Sequence, residues 1–316
     1  MYNYVMKKFL ILLLILIMLP VYSQDNHKSD IEILDNLGLL QKPQQEKCLN
    51  PKSEIKKVFK LHQKYTNEKN IEGLNFIYAD KYINFDGFNK EIYLKLADKT
   101  WQTYRNLKYK SVIKDIGFTD DNQAIVEVEE YISGLSYVGT KYLKDGFGYL
   151  DSISKCIYIL EKINGRWQIV SDNIFFENTT LNYGSAKLKN WELVSPLQVK
   201  AGDSYDIILN VSADKNSMVV ATIGKEEVTY PQISAEEIFR NLSDDNTLQR
   251  VVKANSRNLN EYAVTFFVIM DTNNSNDIET LKMKVSGVGI GMNRVNIVPR
   301  NKYIKVEDEK NSKECK

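Results

Sequence analysis

Histidine is almost absent from this chain: 316 residues hold two, His27 and His62. That excludes a metal centre of several imidazole ligands and most Ser-His-Asp schemes. Cysteine is nearly as scarce. Cys48, Cys156 and Cys315 are too few for a disulfide framework. A charge excess of one sign is also missing: 42 basic residues stand against 41 acidic ones, so no net field attracts nucleic acid. P-loop, CxxC, HExxH and GxSxG patterns do not occur, and nothing implies a metal or a cofactor. Gly287-Val288-Gly289-Ile290-Gly291 superficially suggests a dinucleotide loop. It opens no helix and lies in a strand-like run, so close strand packing is the better reading.

Long apolar runs are missing except at the start. Lys7-Lys8 precede an unbroken apolar stretch from Phe9 to Leu19, then Pro20 and a small residue, Ser23. A basic segment, a short apolar segment and a small residue read as a secretory leader over residues 1–23. The run is well short of the roughly 20 residues of a membrane span. The alternative is an uncleaved anchor. With the leader removed, the expectation is an extracytoplasmic protein, periplasmic or secreted, without a transmembrane helix. About 290 residues then remain, enough for two domains of ordinary size.

Residues 24–50 are polar and read as a linker. Asn50-Pro51 marks a helix start, since Asn caps and Pro has no N–H to leave unpaired. Ile55, Val58, Phe59, His62 and Tyr65 follow at helical spacing. Asn70 caps a second helix carrying Ile71, Leu74 and Ile77. Asn89 caps a third, with Ile92, Leu96, Trp101 and Tyr104. Strand patterns then take over: Leu107 to Phe118, Ala124 to Ser133, and a hairpin from Tyr149 to Phe176 across Asn164-Gly165. Residues 181–190 read as a connector. Short alternating strands follow at 205–211, 218–223, 249–253, 262–270 and 281–295, with one candidate helix at 235–242. That half, 191–306, reads as a β-sandwich, and 307–316 as a polar tail.

The order helix, helix, short strand, helix, long antiparallel strands resembles the NTF2-like (SnoaL, ketosteroid-isomerase-like) cone. So do the junction Tyr78-Ala79-Asp80…Asp86-Gly87 and the ending Asn164-Gly165-Arg166-Trp167-Gln168-Ile169. The resemblance covers residues 52–178 or so. It implies an α+β fold in which three N-terminal helices pack on a curved antiparallel sheet around a pocket. The opening of the second half, Ser195-Pro196 to Tyr205, resembles Ig-like modules of secreted bacterial proteins, which implies an all-β sandwich.

Five side chains are candidates for a ligand pocket. In ketosteroid isomerases the general base is an aspartate just after the second helix, and Asn84-Phe85-Asp86-Gly87 resembles that position. Asp86 is therefore the candidate catalytic base, although Asp-Gly is also an ordinary turn dipeptide. His62 lies on the apolar stripe of the first helix, either as a core histidine or as a pocket acid or base. Tyr65 lies three residues on. Glu130 interrupts the apolar face of Ala124, Val126, Val128 and Ile132. It points inward if the register holds and outward if a β-bulge falls beside it. Tyr158 lies in the hairpin, opposite Ser171 in a regular register, with Asp172 opposite Ile157. Cys156 reads as a buried small hydrophobe. Cys48 and Cys315 flank the two halves and could pair in an oxidising compartment.

Three functions stay open on these residues. The first is a non-catalytic binder, with a small apolar molecule in the cone, an envelope protein or glycan on the sandwich, and dimerisation through the NTF2-like sheet. The second is an isomerase or dehydratase of the ketosteroid-isomerase or SnoaL type with Asp86 as base. The third is a structural envelope protein whose cone is filled by side chains.

Overall fold

A computed structural model of the protein describes residues 50–144, 146–212, 217–231, 238–243, 245–272 and 283–300. The expected leader, residues 24–49 of the linker, the pair Cys48 and Cys315, and the polar tail lie outside the described residues.

Helix α1 (Pro51–Glu68) starts where the cap signal puts it: the Asn50 side chain accepts from the Lys52 N–H at 3.0 Å. Its buried stripe is Ile55, Phe59, His62 and Tyr65. Helix α2 (Ile71–Ile77) is capped by Asn70 through the Gly73 N–H, and α3 (Lys90–Thr103) by Asn89 through the Ile92 N–H. Between α2 and α3 the chain makes a tight turn at 84–88. Asn84 Oδ1 accepts from the N–H groups of Asp86 and Phe88, and Gly87 takes the positive φ of 85° that favours glycine.

Four long antiparallel strands follow: β1 (Tyr104–Asp120), β2 (Gln123–Ser136), β3 (Gly148–Ile163) and β4 (Arg166–Gly184). Register shifts break the β1–β2 ladder between Ile113 and Asp115 and the β3–β4 ladder between Ile159 and Leu160. Such bulges bend a strand and increase its twist, which curls this sheet around the three helices. The enclosed core holds Ile55, Phe59, Leu74, Val126, Leu160 and Ile169. On the free edge of the sheet, α1 covers β1. Asn67 pairs with both backbone groups of Tyr109, and Gln63 accepts from the Ser111 N–H.

Beyond residue 190 the described residues form β5 (Trp191–Val194), β6 (Gln198–Lys200), β7 (Ser204–Val211), β8 (Ser217–Glu227), β9 (Arg240–Asn241), β10 (Thr247–Lys253), β11 (Glu261–Thr272) and β12 (Met283–Val298). Two expectations need correction. Arg240 and Asn241, expected in a helix, are a short strand on the sheet edge; residues 232–237 lie outside the described set. The stretch 181–190 is not a free connector either. Leu181 to Gly184 complete β4; all four pair with β12, and Leu181 to Tyr183 pair with β3 as well. One sheet therefore runs β1-β2-β3-β4-β12-β11-β8-β9, through both halves of the chain. A second, three-stranded sheet, β10-β7-β5, packs on its far half over Leu193, Ile207, Leu209, Ile223, Phe267 and Val295. The sandwich is thus not a self-contained domain, because its larger layer continues the sheet of the cone. The glycines of β12 serve that packing: a Cβ on Gly289 would lie 2.2 Å from the Phe267 ring. Among the described residues no helix is long and apolar enough to cross a membrane.

Candidate functional site

The interior of the cone is not purely apolar. Three elements bring a chain of ionisable groups into it. From α1, His62 is 2% exposed, and its Nε2 lies 3.0 Å from the Tyr78 hydroxyl and 3.3 Å from that of Tyr93. Its Nδ1 is buried without a partner among the described residues. Burial disfavours the imidazolium and lowers the pKa of His62 to about 4, so the ring is neutral at pH 7.

From β2, Glu130 points inward. The β2–β3 ladder is unbroken past Glu130↔Ser154, so no bulge turns the carboxylate out. Its Oε1 accepts from Tyr109 and from Tyr158, each at 2.5 Å. Ser154 and the Cys156 thiol approach Oε2 at 3.4 and 3.8 Å. Desolvation raises its pKa, and the four donors oppose the rise. Cys156 is buried, with its thiol pKa pushed up by desolvation.

From β4, Asp172 faces the same interior, and the regular hairpin register is wrong about it. The bulge between Ile159 and Leu160 leaves Val170 unpaired and moves Asp172 from opposite Ile157 to opposite Tyr158. A one-residue slip moves a side chain to the other face of a sheet, so Asp172 comes to lie buried beside Tyr158 rather than outside. The Tyr82 hydroxyl donates to it at 2.5 Å. Burial raises its pKa to about 7; the Tyr82 bond opposes that shift, and the charge of Glu130 adds to it.

Asp86 takes a different place. Its Oδ1 accepts from Arg294 Nη2 on β12 and from the Asn260 side-chain amide, both at 2.7 Å. The Arg294 side chain is fully buried and that of Asp86 is 6% exposed. The carboxylate expected to be the base is thus engaged in a buried ion pair that ties the turn 84–88 to the C-terminal sheet. Tyr65 is corrected too. Its ring packs on Gly73, where an added Cβ would lie 2.5 Å away, and it joins the apolar core instead of the polar cluster. Of the five expected residues, His62, Glu130 and Tyr158 come together, and Asp86 and Tyr65 stand apart from them.

Sequence reasoning missed Asp172 and the tyrosines at 78, 82, 93 and 109. The 19 tyrosines of the chain were the available signal. The ring centroids of Tyr78 and Tyr93 lie 4.4 Å apart, tilted, and those of Tyr78 and Tyr82 4.8 Å apart, edge to face; with His62 against Tyr109 the rings form one connected group. Away from the cone, a surface cavity of about 220 Å³ is lined by Asn190, Trp191, Glu192 and Asn210. The Trp191 indole there is already committed to Asn182 and packed on Phe267.

No family model and no curated protein matches this chain. Solved structures do. A hexachlorocyclohexane dehydrochlorinase (LinA, type 2) is 13% identical with a TM-score of 0.33, over 39% of this chain and 83% of that one. A ketosteroid isomerase-like protein from Erwinia carotovora atroseptica is 15% identical with a TM-score of 0.30, over 38% and 91%. A cystatin-like-fold domain of unknown function from Nostoc punctiforme is 14% identical with a TM-score of 0.30, over 38% and 74%. Each of these matches covers under two-fifths of this chain. At such identities and scores the likeness says nothing of what this chain binds or transforms.

Proposed function

We propose that the cone is an acid–base site for a small uncharged molecule, acting as an isomerase or dehydratase with Asp172 in the role first expected of Asp86. The observation that carries this reading is the Asp172 carboxyl. It is buried, held by Tyr82, and has a pKa of about 7, in one cluster with neutral His62. Apolar packing does not need such groups, and ionisable side chains with shifted pKa values concentrate where proton transfer is done. A carboxyl poised near 7 takes a proton and returns it with little penalty. In the reaction envisaged, the Asp172 carboxylate removes a proton from carbon beside a carbonyl. The C–H electron pair becomes the C=C of an enolate whose oxygen accepts a hydrogen bond from a tyrosine O–H. In a β,γ-unsaturated ketone the proton then returns to the γ-carbon as the carbonyl re-forms; in a β-hydroxy ketone the β-hydroxyl leaves with it as water.

The test is turnover of β-hydroxy ketones, followed as absorbance of the enone formed, by the wild type and by Asp172→Asn. Loss of roughly a hundredfold or more in the variant is expected for a general acid–base group. Equal rates would reject the assignment.

One observation favours a second, non-catalytic reading: Glu130 is surrounded by donors from the protein itself. A binder of small molecules would show a retained ligand by native mass spectrometry and no turnover. An envelope protein or glycan as partner, and dimerisation through the sheet, belong to that reading. Both readings place the protein outside the cytoplasm through the leader expected at 1–23, which N-terminal sequencing of the mature protein tests.

A further inference from the structure

The buried ion pair between Asp86 and Arg294 joins residues 208 positions apart, and it lies next to the site. Arg294 sits opposite Tyr262 in the β11–β12 ladder. Tyr262 in turn donates to Glu177 on β4 at 2.9 Å. Arg294 Nε donates to Asn296, and Nη1 is buried without a partner among the described residues. A guanidinium held this deep costs several kcal/mol in desolvation, which surface anchoring would not require.

The turn that Arg294 grips follows, two residues on, the segment that presents Tyr82 to Asp172. The Phe85 N–H donates to the Asp172 carbonyl at 2.9 Å, and the Ile83 N–H donates to Val170 at 3.2 Å. The Ser171 hydroxyl donates to the Ile83 carbonyl at 2.6 Å. Asp86 is the next residue after Phe85, so the Arg294 contact closes a short loop: guanidinium, Asp86, turn backbone, Asp172. From β11–β12 the apolar side chains Tyr262, Val264 and Met292 also pack on Phe88 and on Ile92 and Leu96 of α3. The same helix carries Tyr93 into the cone.

We propose that Arg294, on the C-terminal strand β12, is a positioning residue of the acid–base site in the cone: through Asp86 it fixes the turn 84–88 against Asp172 and, with it, the adjoining segment that carries Tyr82. This rests on the reading of Asp172 as the proton-transfer group. The C-terminal half is then a working part of the site, and the cone without it is incomplete. The groups that face Asp172 are Tyr82 from the turn, Glu130 from β2, Asp86 and Arg294 by charge, and Tyr78, Tyr93 and Cys156 around them. Arg294 lowers the pKa of Asp172, while Asp86 and Glu130 raise it.

The two ends of the pair act on Asp172 by charge with opposite signs, whereas displacing the Tyr82 hydroxyl raises its midpoint whichever end is removed. The experiment is the titration of Asp172 in the full chain by 13C NMR of carboxyl-labelled aspartate, with the signal assigned by Asp172→Asn. Arg294→Met should move its midpoint up and Asp86→Asn should move it down, each by on the order of one pH unit. Arg294→Lys should return it toward the wild type. Should a single variant fail to fold, the double variant Asp86→Asn/Arg294→Met removes both buried charges and keeps the packing. With both charges gone their opposite effects cancel, and the weakened Tyr82 hydrogen bond alone should raise its midpoint above the wild-type value. A midpoint that stays at the wild-type value in every folded variant overturns the role of Arg294 while leaving Asp172 as the proton-transfer group. A wild-type midpoint in the ordinary aspartate range would instead remove the functional reading itself.

Discussion

The two cores of this molecule are built from different materials. Between the two sheets of the C-terminal half, Leu193, Ile207, Leu209, Ala221, Ile223, Phe267 and Val295 interlock with few polar atoms. Inside the cone, a histidine, two carboxylates, a thiol and five phenols share the space with Phe59, Leu74 and Leu160. Both solutions fold. The C-terminal core also buries a carboxylate, Glu261, but pairs it with the Lys225 ammonium as well as the Tyr205 hydroxyl, whereas Glu130 and Asp172 in the cone are held by tyrosine hydroxyls. Burying a carboxyl is costly unless its oxygens are bonded, and the tyrosines meet that requirement side chain by side chain.

The largest effect should come from the C-terminal core. Phe267→Ala removes a ring packed between Trp191 and Gly289, and should cost roughly 4 kcal/mol in denaturant unfolding, nearly independent of pH. A strongly pH-dependent loss there would break the contrast.

The cone should behave in the opposite way. The folded pKa of Asp172 is about 7, against an ordinary 3.8. As pH rises, the unfolded chain releases that proton first. The stability Asp172 contributes is therefore complete below about 4 and lost as pH passes 7, by up to roughly 4 kcal/mol. Asp172→Asn should abolish this fall, measured as unfolding free energy from pH 4 to 8. His62 runs the other way. Its folded pKa of about 4 lies below the ordinary 6.5, so its contribution is complete above 6.5 and lost as pH falls through 4. His62→Gln should therefore move the acid unfolding midpoint down.

A smaller effect separates the charge of Glu130 from its hydrogen bonds. Both tyrosine hydroxyls bond the same oxygen, Oε1, which a glutamine amide oxygen can replace. Glu130→Gln should cost about 1 kcal/mol, and Glu130→Leu, which leaves two phenols unpaired, about 3 kcal/mol. Equal losses would mean that the tyrosines find other acceptors. The smallest effect concerns neither core: Asn70→Ala removes the cap of α2 and should cost about 1 kcal/mol in thermal unfolding.

What could be read along the chain was local. Asn50, Asn70 and Asn89 each bond an N–H two or three residues ahead, so the three helix starts lie in the sequence itself. The Asn164-Gly165 turn takes positive φ at both residues, as its composition requires. The inward face of Glu130 follows from alternation in a strand without a bulge there. Asp172 was hidden because alternation counted back from the turn fails at one extra residue, Val170, and no side-chain pattern marks a bulge. The fusion of the two halves was equally hidden. Leu181 and Tyr183 alternate with polar residues, as an exposed strand or a linker can.

The amino-acid sequence alone determined the helix starts, the hairpin turn and the alternating strands, because capping and turn chemistry act within a few residues. Tertiary structure alone decided that β4 and β12 pair into one sheet, that Asp172 faces the cone, and that Asp86 belongs to Arg294. Each of these depends on strand order and register across the whole chain, and an ion pair 208 residues apart leaves no mark on the sequence around either end.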